Sequence, residues 1–345
     1  MQISVLDQSP IAAGSTGADA LRNTVDLARL ADELGYDRYW VAEHHGGPML
    51  ASAGPEALIG PVAAATERIR VGSGGVMLPH YSPLKVAETF TILAALFPGR
   101  IDLGIGRAAG TDPLTTFALQ RDRRDAAPDD FPQQLAELLG YFDNNLPPDH
   151  PFRRLAATLP GLPELPSPWL LGSSPQSGLW AAELGLPYAL ADFIKQGWGD
   201  IAELYRQRYV PQRDLPAAKV AVASWVLCGP TDEEAQYLAT SSRMTLTLLR
   251  RGQLIAVPSP ENAAEFLARE GKPTTGALPG RRGIIGSPDT VRTGIEALAR
   301  EYGAEEVIVV TITWDHAARR RSYELIADAF GLAGADGEPA AAHAG

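Results

Sequence analysis

The chain has 345 residues, of which 45% are hydrophobic and 21% are charged, and its formal net charge at pH 7 is −11. This composition is typical of a globular protein and excludes a mainly disordered, collagen-like or coiled-coil chain. The negative charge argues against binding to nucleic acid or to an anionic membrane, because phosphates must be met by clustered cations. We therefore expect a small-molecule partner.

The cysteine content and the first residues bear on the compartment. Cys228 is the single cysteine, which excludes an internal disulfide and a multi-thiolate metal site and fits a reducing environment. The N-terminal segment lacks the basic region of a signal peptide, and no apolar run approaches the roughly 20 residues of a membrane span. These features predict a cytoplasmic protein.

Short apolar runs alternate along the chain with stretches of helical spacing. Ser287-Pro288-Asp289 predicts a helix start, because it offers an N-cap, a first-turn proline and a first-turn acid in order. Strands that alternate with helices are expected to be parallel. Eight such units favour a closed (β/α)8 TIM barrel. The predicted strands cover residues 3–7, 37–42, 69–74, 101–104, 169–171, 188–191, 220–228 and 307–313.

An open, doubly wound sheet is the alternative architecture. Its best support is Gly104-Ile-Gly106-Arg-Ala-Ala109, which fits the dinucleotide-binding pattern G-x-G-x-x-A. The match is weak because Thr111-Asp112-Pro113 follows where a long helix should begin. The strand concerned is also the fourth in order rather than the first.

Two segments exceed what a minimal barrel needs. Residues 126–168 are rich in proline around one amphipathic stretch at 131–142, which predicts an insertion after strand 4. Residues 251–283 are rich in glycine and proline, with a short helix near 261–269, and predict an insertion between strands 7 and 8. Such insertions usually cover the mouth of a barrel. We expect a single barrel domain over residues 1–332 and a disordered tail over 333–345.

A parallel barrel forms its active site at the carboxyl ends of the strands, so the polar residues that follow each run are the candidates. The stretch from Leu171 to Ser177 offers the hydroxyls of Ser173, Ser174 and Ser177 at a helix N-terminus, where the helix dipole favours a phosphate. An ordinary Ser-Pro cap explains this stretch equally well. Arg107 favours the phosphate, because a guanidinium makes paired hydrogen bonds to it, although a surface ion pair is the alternative.

Two further motifs follow predicted strands. His44 and His45 are adjacent at the rim, which favours acid–base chemistry over a structural role. We expect no metal site, because adjacent side chains on a strand point to opposite faces and no H-x-H or H-E-x-x-H spacing is present. Gly74 and Gly75 either let the backbone approach a flat ligand or merely permit a tight turn.

Five stretches carry a family resemblance when they are taken together. They are Asp37-Arg-Tyr-Trp-Val-Ala-Glu-His-His45, Gly72-Ser-Gly-Gly-Val-Met-Leu-Pro-His80, Ala87-Glu88, Gly99-Arg-Ile-Asp-Leu-Gly-Ile-Gly-Arg107 and Leu171-Gly-Ser-Ser174. In this order and spacing the chain resembles the bacterial-luciferase-like, flavin-dependent monooxygenase superfamily, particularly its single-chain group. The resemblance implies a (β/α)8 barrel that binds FMN, usually as the reduced form delivered by a separate flavin reductase. It also implies a mobile loop at 251–283 and a homodimer packed around Glu88.

The resemblance further implies roles for single residues. His44 would lie beside the flavin and serve acid–base chemistry, and Gly74-Gly75 matches a non-proline cis peptide under the isoalloxazine ring. The chain departs from the family at Gly106, where the luciferase has a reactive thiol, which weakens the expectation of light emission and of long-chain aldehyde specificity. The family's phosphate contacts match Arg107, Ser173, Ser174 and Ser177.

The implied activity is the oxidation of an unidentified small organic substrate by reduced FMN and O2 through a flavin hydroperoxide. Such a species survives only where water is kept away, as a lid over an apolar mouth would do. His44 is the expected proton donor or acceptor. The alternatives are a deazaflavin-dependent hydride-transfer oxidoreductase on the same fold and a non-catalytic flavin-binding protein. The FMN-like phosphate pattern argues modestly against the first, and His44 with the long lid argues against the second.

Overall fold

Eight parallel strands close into a barrel in the computed structural model, which describes residues 1–108, 111–120, 129–194, 196–213 and 215–332. Neighbouring strands follow the order β1, β2, β3, β4, β5, β6, β7, β9, and the pairing of β9 with β1 completes the ring. The predicted barrel is confirmed and the open sheet is excluded. The tail predicted at 333–345 lies outside the described residues. The strands are β1 (Gln2–Asp7), β2 (Arg38–Val41), β3 (Arg70–Met77), β4 (Ile101–Gly106), β5 (Ser167–Gly172), β6 (Tyr188–Ala191), β7 (Val220–Cys228), β8 (Gly283–Gly286) and β9 (Glu306–Val310).

Strand β8 was not predicted, and it lies outside the closed ring. The inner half of β7 pairs with β9 up to Trp225, and its outer half pairs with β8 from Trp225 to Cys228. The sequence of β8 holds only two apolar residues between two glycines, so nothing in the segment alone marks it as a strand. The eighth predicted strand, 307–313, is also too long, because β9 ends at Val310 and the Thr311 hydroxyl then donates a hydrogen bond to Val226 O.

The helices flank the barrel. The predicted helical stretches at 131–142 and near 261–269 correspond to α5 and α10. Ser287 precedes α11 as predicted, but its side chain makes no capping bond to the backbone. None of the described helices is long and apolar enough to cross a membrane. The helices are α1 (Gly17–Glu33), α2 (Pro55–Ala64), α3 (Pro83–Leu96), α4 (Pro113–Leu119), α5 (Phe131–Phe142), α6 (Pro175–Glu183), α7 (Gly199–Arg208), α8 (Asp232–Leu238), α9 (Thr240–Leu249), α10 (Pro260–Arg269), α11 (Pro288–Tyr302) and α12 (His316–Phe330), with 3-10 turns at Leu78–His80 and Arg153–Thr158.

The interior of the barrel is filled at one end and open at the other. At the amino ends of the strands, Arg38 donates hydrogen bonds to the buried carboxylates of Asp102, at 2.7 Å, and Glu306, at 2.8 Å. The rings of Trp40 and Trp169 pack edge to face above them, with centroids 5.3 Å apart. Small inward-facing residues follow toward the carboxyl ends, so the interior widens into a cavity there.

Candidate active site at the barrel mouth

One cavity of about 390 Å³ lies at the carboxyl ends of the strands, and we call it cavity A. Its floor is apolar, with Leu6, Trp40 and Ile308 contributed by three different strands. The structure brings together in its wall every site residue predicted from the sequence, which are His44, Gly74, Gly75, Arg107, Ser173, Ser174 and Ser177. Residues from the ends of four strands, β2 to β5, therefore converge on one space, as the barrel topology requires.

The serines form the N-terminal cap of α6. The Ser174 hydroxyl accepts a hydrogen bond from Ser177 N at 3.3 Å, and the Ser177 hydroxyl donates to Ser174 O at 2.8 Å. The Ser177 hydroxyl is also 2.8 Å from the hydroxyl of Tyr188, so it is committed within the protein. The structural cap and a polar cavity wall are thus built from the same residues, and the half-buried Ser173 and Ser174 face the cavity.

Arg107 leaves β4 at the same end of cavity A. Its guanidinium lies 5.6 Å from the ring centre of Trp180, which belongs to α6 one turn after Ser177. It also forms an exposed ion pair with Asp129 at 2.7 Å. Exposed pairs of this kind contribute little to stability, so the guanidinium can exchange Asp129 for an anionic ligand at small cost. A cation and a helix N-terminus thus meet at one end of the cavity.

Gly74 and Gly75 border cavity A where β3 passes under it, and the peptide bond between them is cis, as the resemblance implied. A Cβ atom at Gly74 would lie 2.6 Å from Leu6 Cδ1, and one at Gly75 would lie 2.7 Å from Gly104 O. Gly75 is therefore required by contact with the backbone of the neighbouring strand β4, whatever the cavity holds, whereas Gly74 meets the end of a flexible leucine side chain. The sequence motif had suggested close approach to a ligand or a tight turn, and strand packing is a third reason.

A second cavity of about 540 Å³, cavity B, adjoins the first. Gln8, His44, Phe193 and Ile194 line both, so they lie where the two spaces meet. The remaining wall of cavity B is mostly apolar, with a few polar and charged groups. It consists of His45, Gly47, Met49, Leu50, Thr111, Asp112, Trp225, Ser242, Thr245, Leu246, Leu249, Gly252, Leu254, Arg281 and Ile312.

His44 is the ionisable group shared by the two cavities. Its Nδ1 is buried and has no hydrogen-bond partner among the residues that the structure describes. Burial lowers the pKa of His44 to about 4, and the nearby positive charges of His45 and Arg281 act in the same direction. The ring is therefore neutral at pH 7, and Nδ1 is available to a ligand.

Unlike His44, His45 has a hydrogen-bond partner within the protein. Its Nε2 lies 2.8 Å from Glu43 Oε1, and the other oxygen of that buried carboxylate accepts a hydrogen bond from Met77 N at 2.8 Å. Glu43 therefore ties the loop after β2 to the end of β3 and fixes His45. The two adjacent histidines divide into one that is held by the protein and one that is open to ligand.

Other polar residues at strand ends serve the fold rather than the cavities. The buried Asp7 pairs with Arg319 at 2.7 Å, and the buried Asp192 accepts a hydrogen bond from the Tyr302 hydroxyl at 2.7 Å. Within the described residues no three potential metal ligands form a group. The absence of a metal site remains a prediction.

Sequence reasoning missed Arg281 and the aromatic residues Trp180 and Trp225 in the cavity walls. Only residues that follow strands were considered, whereas Arg281 precedes β8. The start of β8 pairs with Trp225, at the point where β7 leaves the ring, and this brings Arg281 to the mouth. The charged turn Gly280-Arg281-Arg282-Gly283 was the available signal.

The family model described as luciferase-like monooxygenase matches residues 1–306. The chain is 40% identical over 328 residues to a protein named luciferase-like monooxygenase from Escherichia coli strain K12, which covers 94% of this chain and 96% of the relative. It is 37% identical over 333 residues to the N-acetyl-S-alkylcysteine monooxygenase of Bacillus subtilis strain 168, which covers 95% and 98%.

Solved structures agree in fold. The crystal structure of apo-MsnO8 superposes with a TM-score of 0.87 at 40% identity, covering 96% of this chain and 99% of that one. The oxygenating constituent of 3,6-diketocamphane monooxygenase from Pseudomonas putida, solved in complex with FMN, gives a TM-score of 0.68 at 22% identity, covering 95% and 96%. The second likeness shows a shared barrel alone.

Proposed function

The chain belongs to the luciferase-like monooxygenase family, and on this premise we propose that it binds FMN in cavity A and oxygenates a small organic substrate held in cavity B. The enzyme class predicted from the sequence, a monooxygenase, agrees with the family. The observation that carries the proposal is the place of His44, an open and neutral imidazole where the two cavities meet.

The residues of cavity A suit FMN in charge and shape. Arg107 and the hydroxyls of Ser173 and Ser174 would hold the phosphate, beside the N-terminus of α6. Ser177 would contribute by fixing Ser174 through the cap. The apolar floor at Leu6 and the glycine pair would accept the flat ring system. The FMN in the structure of the Pseudomonas putida relative supports this choice of flavin.

Reduced FMN, when bound, would supply two electrons, so that one atom of O2 enters the substrate and the other leaves as water. The protein provides the surroundings for this reaction. Phe193, Ile194 and the apolar walls would limit the access of water to the space between the cavities once ligands are bound. Neutral His44, which lines both cavities, would hold or accept a proton at its imidazole ring.

The substrate and partners follow by analogy. N-acetyl-S-alkylcysteines, named for the Bacillus subtilis relative, are the first substrate class to test, with the thioether sulfur as the oxidised atom. A separate flavin reductase and a homodimer remain proposals from the family resemblance. The exposed Ile92 and Leu96 of α3, one and two turns after Glu88, supply apolar surface for such a dimer.

The test combines FMN binding with isotope transfer. The protein, chemically reduced FMN and N-acetyl-S-methylcysteine are mixed under 18O2, and the product is analysed by mass spectrometry. We expect FMN to bind and one labelled oxygen atom to appear in the sulfoxide, above the level formed without protein. Preferential binding of a deazaflavin, with no labelled product from any thioether tried, would instead favour the hydride-transfer alternative.

A further inference from the structure

Cavity B contains a cation that no carboxylate in the described part of the chain neutralises. Arg281 lines this cavity and is half-buried. Its side chain makes no ion pair or hydrogen bond with any residue that the structure describes, whereas most buried or half-buried arginines, such as Arg38 and Arg319, are paired with carboxylates. Burying an unpaired charge is unfavourable, and an arginine cannot avoid this by losing its proton, because its pKa is far above neutral pH. An unpaired guanidinium in a cavity wall is therefore available to a ligand.

A second guanidinium strengthens the positive potential at this place. The side chain of Arg250, at the end of α9, occupies the space that a Cβ atom on Gly280 would need, directly beside Arg281. Gly280 has a φ of +62°, so the backbone conformation and the neighbouring cation both require glycine there. Burial and the repulsion of Arg250 both lower the pKa of Arg281 from its ordinary value. Two like charges that repel each other are stabilised by an anion placed near them.

The acidic group in the wall of cavity B does not provide that anion. Asp112 caps α4, where its carboxylate accepts hydrogen bonds from Leu114 N at 2.9 Å and from Thr115 N at 3.0 Å. It forms no ion pair with Arg281 in the structure. The two histidines in the wall supply no negative charge either. Arg281 is thus left facing an apolar space formed mainly by Met49, Leu50, Leu246, Leu249, Leu254 and Ile312.

We propose that cavity B selects an organic anion, with the carboxylate of the substrate bound by Arg281 and its apolar part lying against the leucine-rich wall. The inference rests on the proposed function, since it assigns cavity B to the substrate. A planar guanidinium binds a carboxylate through two parallel hydrogen bonds, which fixes the orientation of the ligand as well as its charge. The opposite end of the substrate would then be presented to His44 and cavity A.

The test measures binding without turnover. Calorimetric titration of the FMN-free protein compares hexanoate with hexanamide, which has the same length and no charge. We expect hexanoate to bind about tenfold more tightly or better, and Arg281→Gln to remove this preference. Arg251→Gln is the matched control, because Arg251 is a neighbouring cation already paired with Glu270. Arg107→Ala should leave hexanoate binding unchanged, which separates cavity B from the phosphate end of cavity A.

Three results would overturn the inference: equal binding of the two probes, no binding of hexanoate, or a preference that survives in Arg281→Gln. These results do not depend on the monooxygenase assay. If hexanoate binds through Arg281 while no labelled oxygen is transferred, the proposed function fails and the anion site stands. If labelled oxygen enters an anionic thioether and its neutral amide equally well, both in the wild type and in Arg281→Gln, the function stands and the anion site fails.

Discussion

The protonation state of His44 is set by its surroundings in the folded protein rather than by the intrinsic pKa of histidine. Burial lowers its pKa from 6.5 to about 4, whereas an ordinary histidine would be mostly protonated one pH unit below 6.5. We predict that the His44 ring is still neutral at about pH 5.5. The measurement is NMR of ring-labelled histidine, with His44→Asn to assign the resonance. A titration of the assigned resonance near the ordinary histidine value, between about pH 6 and 7, would contradict the prediction.

The same shift sets the direction of two pH effects. Because the pKa in the folded protein is the lower one, the unfolded chain binds the additional proton between pH 6.5 and about 4, and His44 lowers the free energy of unfolding as the pH falls through that range. Catalysis that needs the neutral ring should persist as the pH falls to about 4.

His44→Asn should lower kcat by about 100-fold while FMN affinity stays within about twofold. Retention of full kcat would remove His44 from the chemistry.

Arg107 and Asp129 offer a matched pair of substitutions at the other end of cavity A. Arg107→Ala should weaken FMN binding by about tenfold, because it removes a charge-assisted contact to the phosphate. Asp129→Asn should leave the affinity unchanged or increase it, since it frees the guanidinium from its ion pair. Fluorescence titration with FMN measures both. Equal affinity in Arg107→Ala and wild type would place the phosphate elsewhere.

At the scale of elements, the glycines of β4 are explained by strand packing. A Cβ atom on Gly104 would lie 2.2 Å from Ser73 O of β3, which no side chain tolerates. We predict that Gly104→Ala lowers the free energy of unfolding by about 2 kcal/mol or more. Gly17→Ala is the control, because a Cβ atom there would meet only ordinary contacts at 3.7 and 3.8 Å. Urea unfolding compares them, and equal midpoints would contradict the steric argument.

The same elements show how far the sequence could lead. Alternating strands and helices gave the barrel, and the rule that polar residues after parallel strands converge gave the residues of cavity A. Strand β8 was not predicted, because Gly283–Gly286 becomes a strand only by pairing with the outer half of β7, and strand formation depends on such tertiary partners. Arg281, which precedes β8, was missed for the same reason. Cavity B is shaped by the folding of the long segment before β8, which composition alone does not determine.

At the scale of the whole molecule, the two ends of the barrel have separate tasks. The amino ends are closed by the buried network of Arg38, Asp102 and Glu306, and the carboxyl ends hold the cavities. Glu306 joins three strands here, because it accepts hydrogen bonds from Ser4 of β1 at 2.6 Å and from Arg38 of β2 at 2.8 Å. In barrels of this kind the amino end contributes stability and the carboxyl end contributes chemistry.

This separation makes a prediction about Glu306→Gln. The substitution leaves the volume unchanged but removes a buried negative charge between Arg38 and Lys219, so we expect the free energy of unfolding to fall by about 2 kcal/mol. Because Glu306 lines neither cavity, the folded variant should bind FMN with an affinity within about twofold of wild type. Urea unfolding and FMN titration on the same preparation measure both quantities. A loss of FMN affinity as large as that of Arg107→Ala would show that the two ends are coupled.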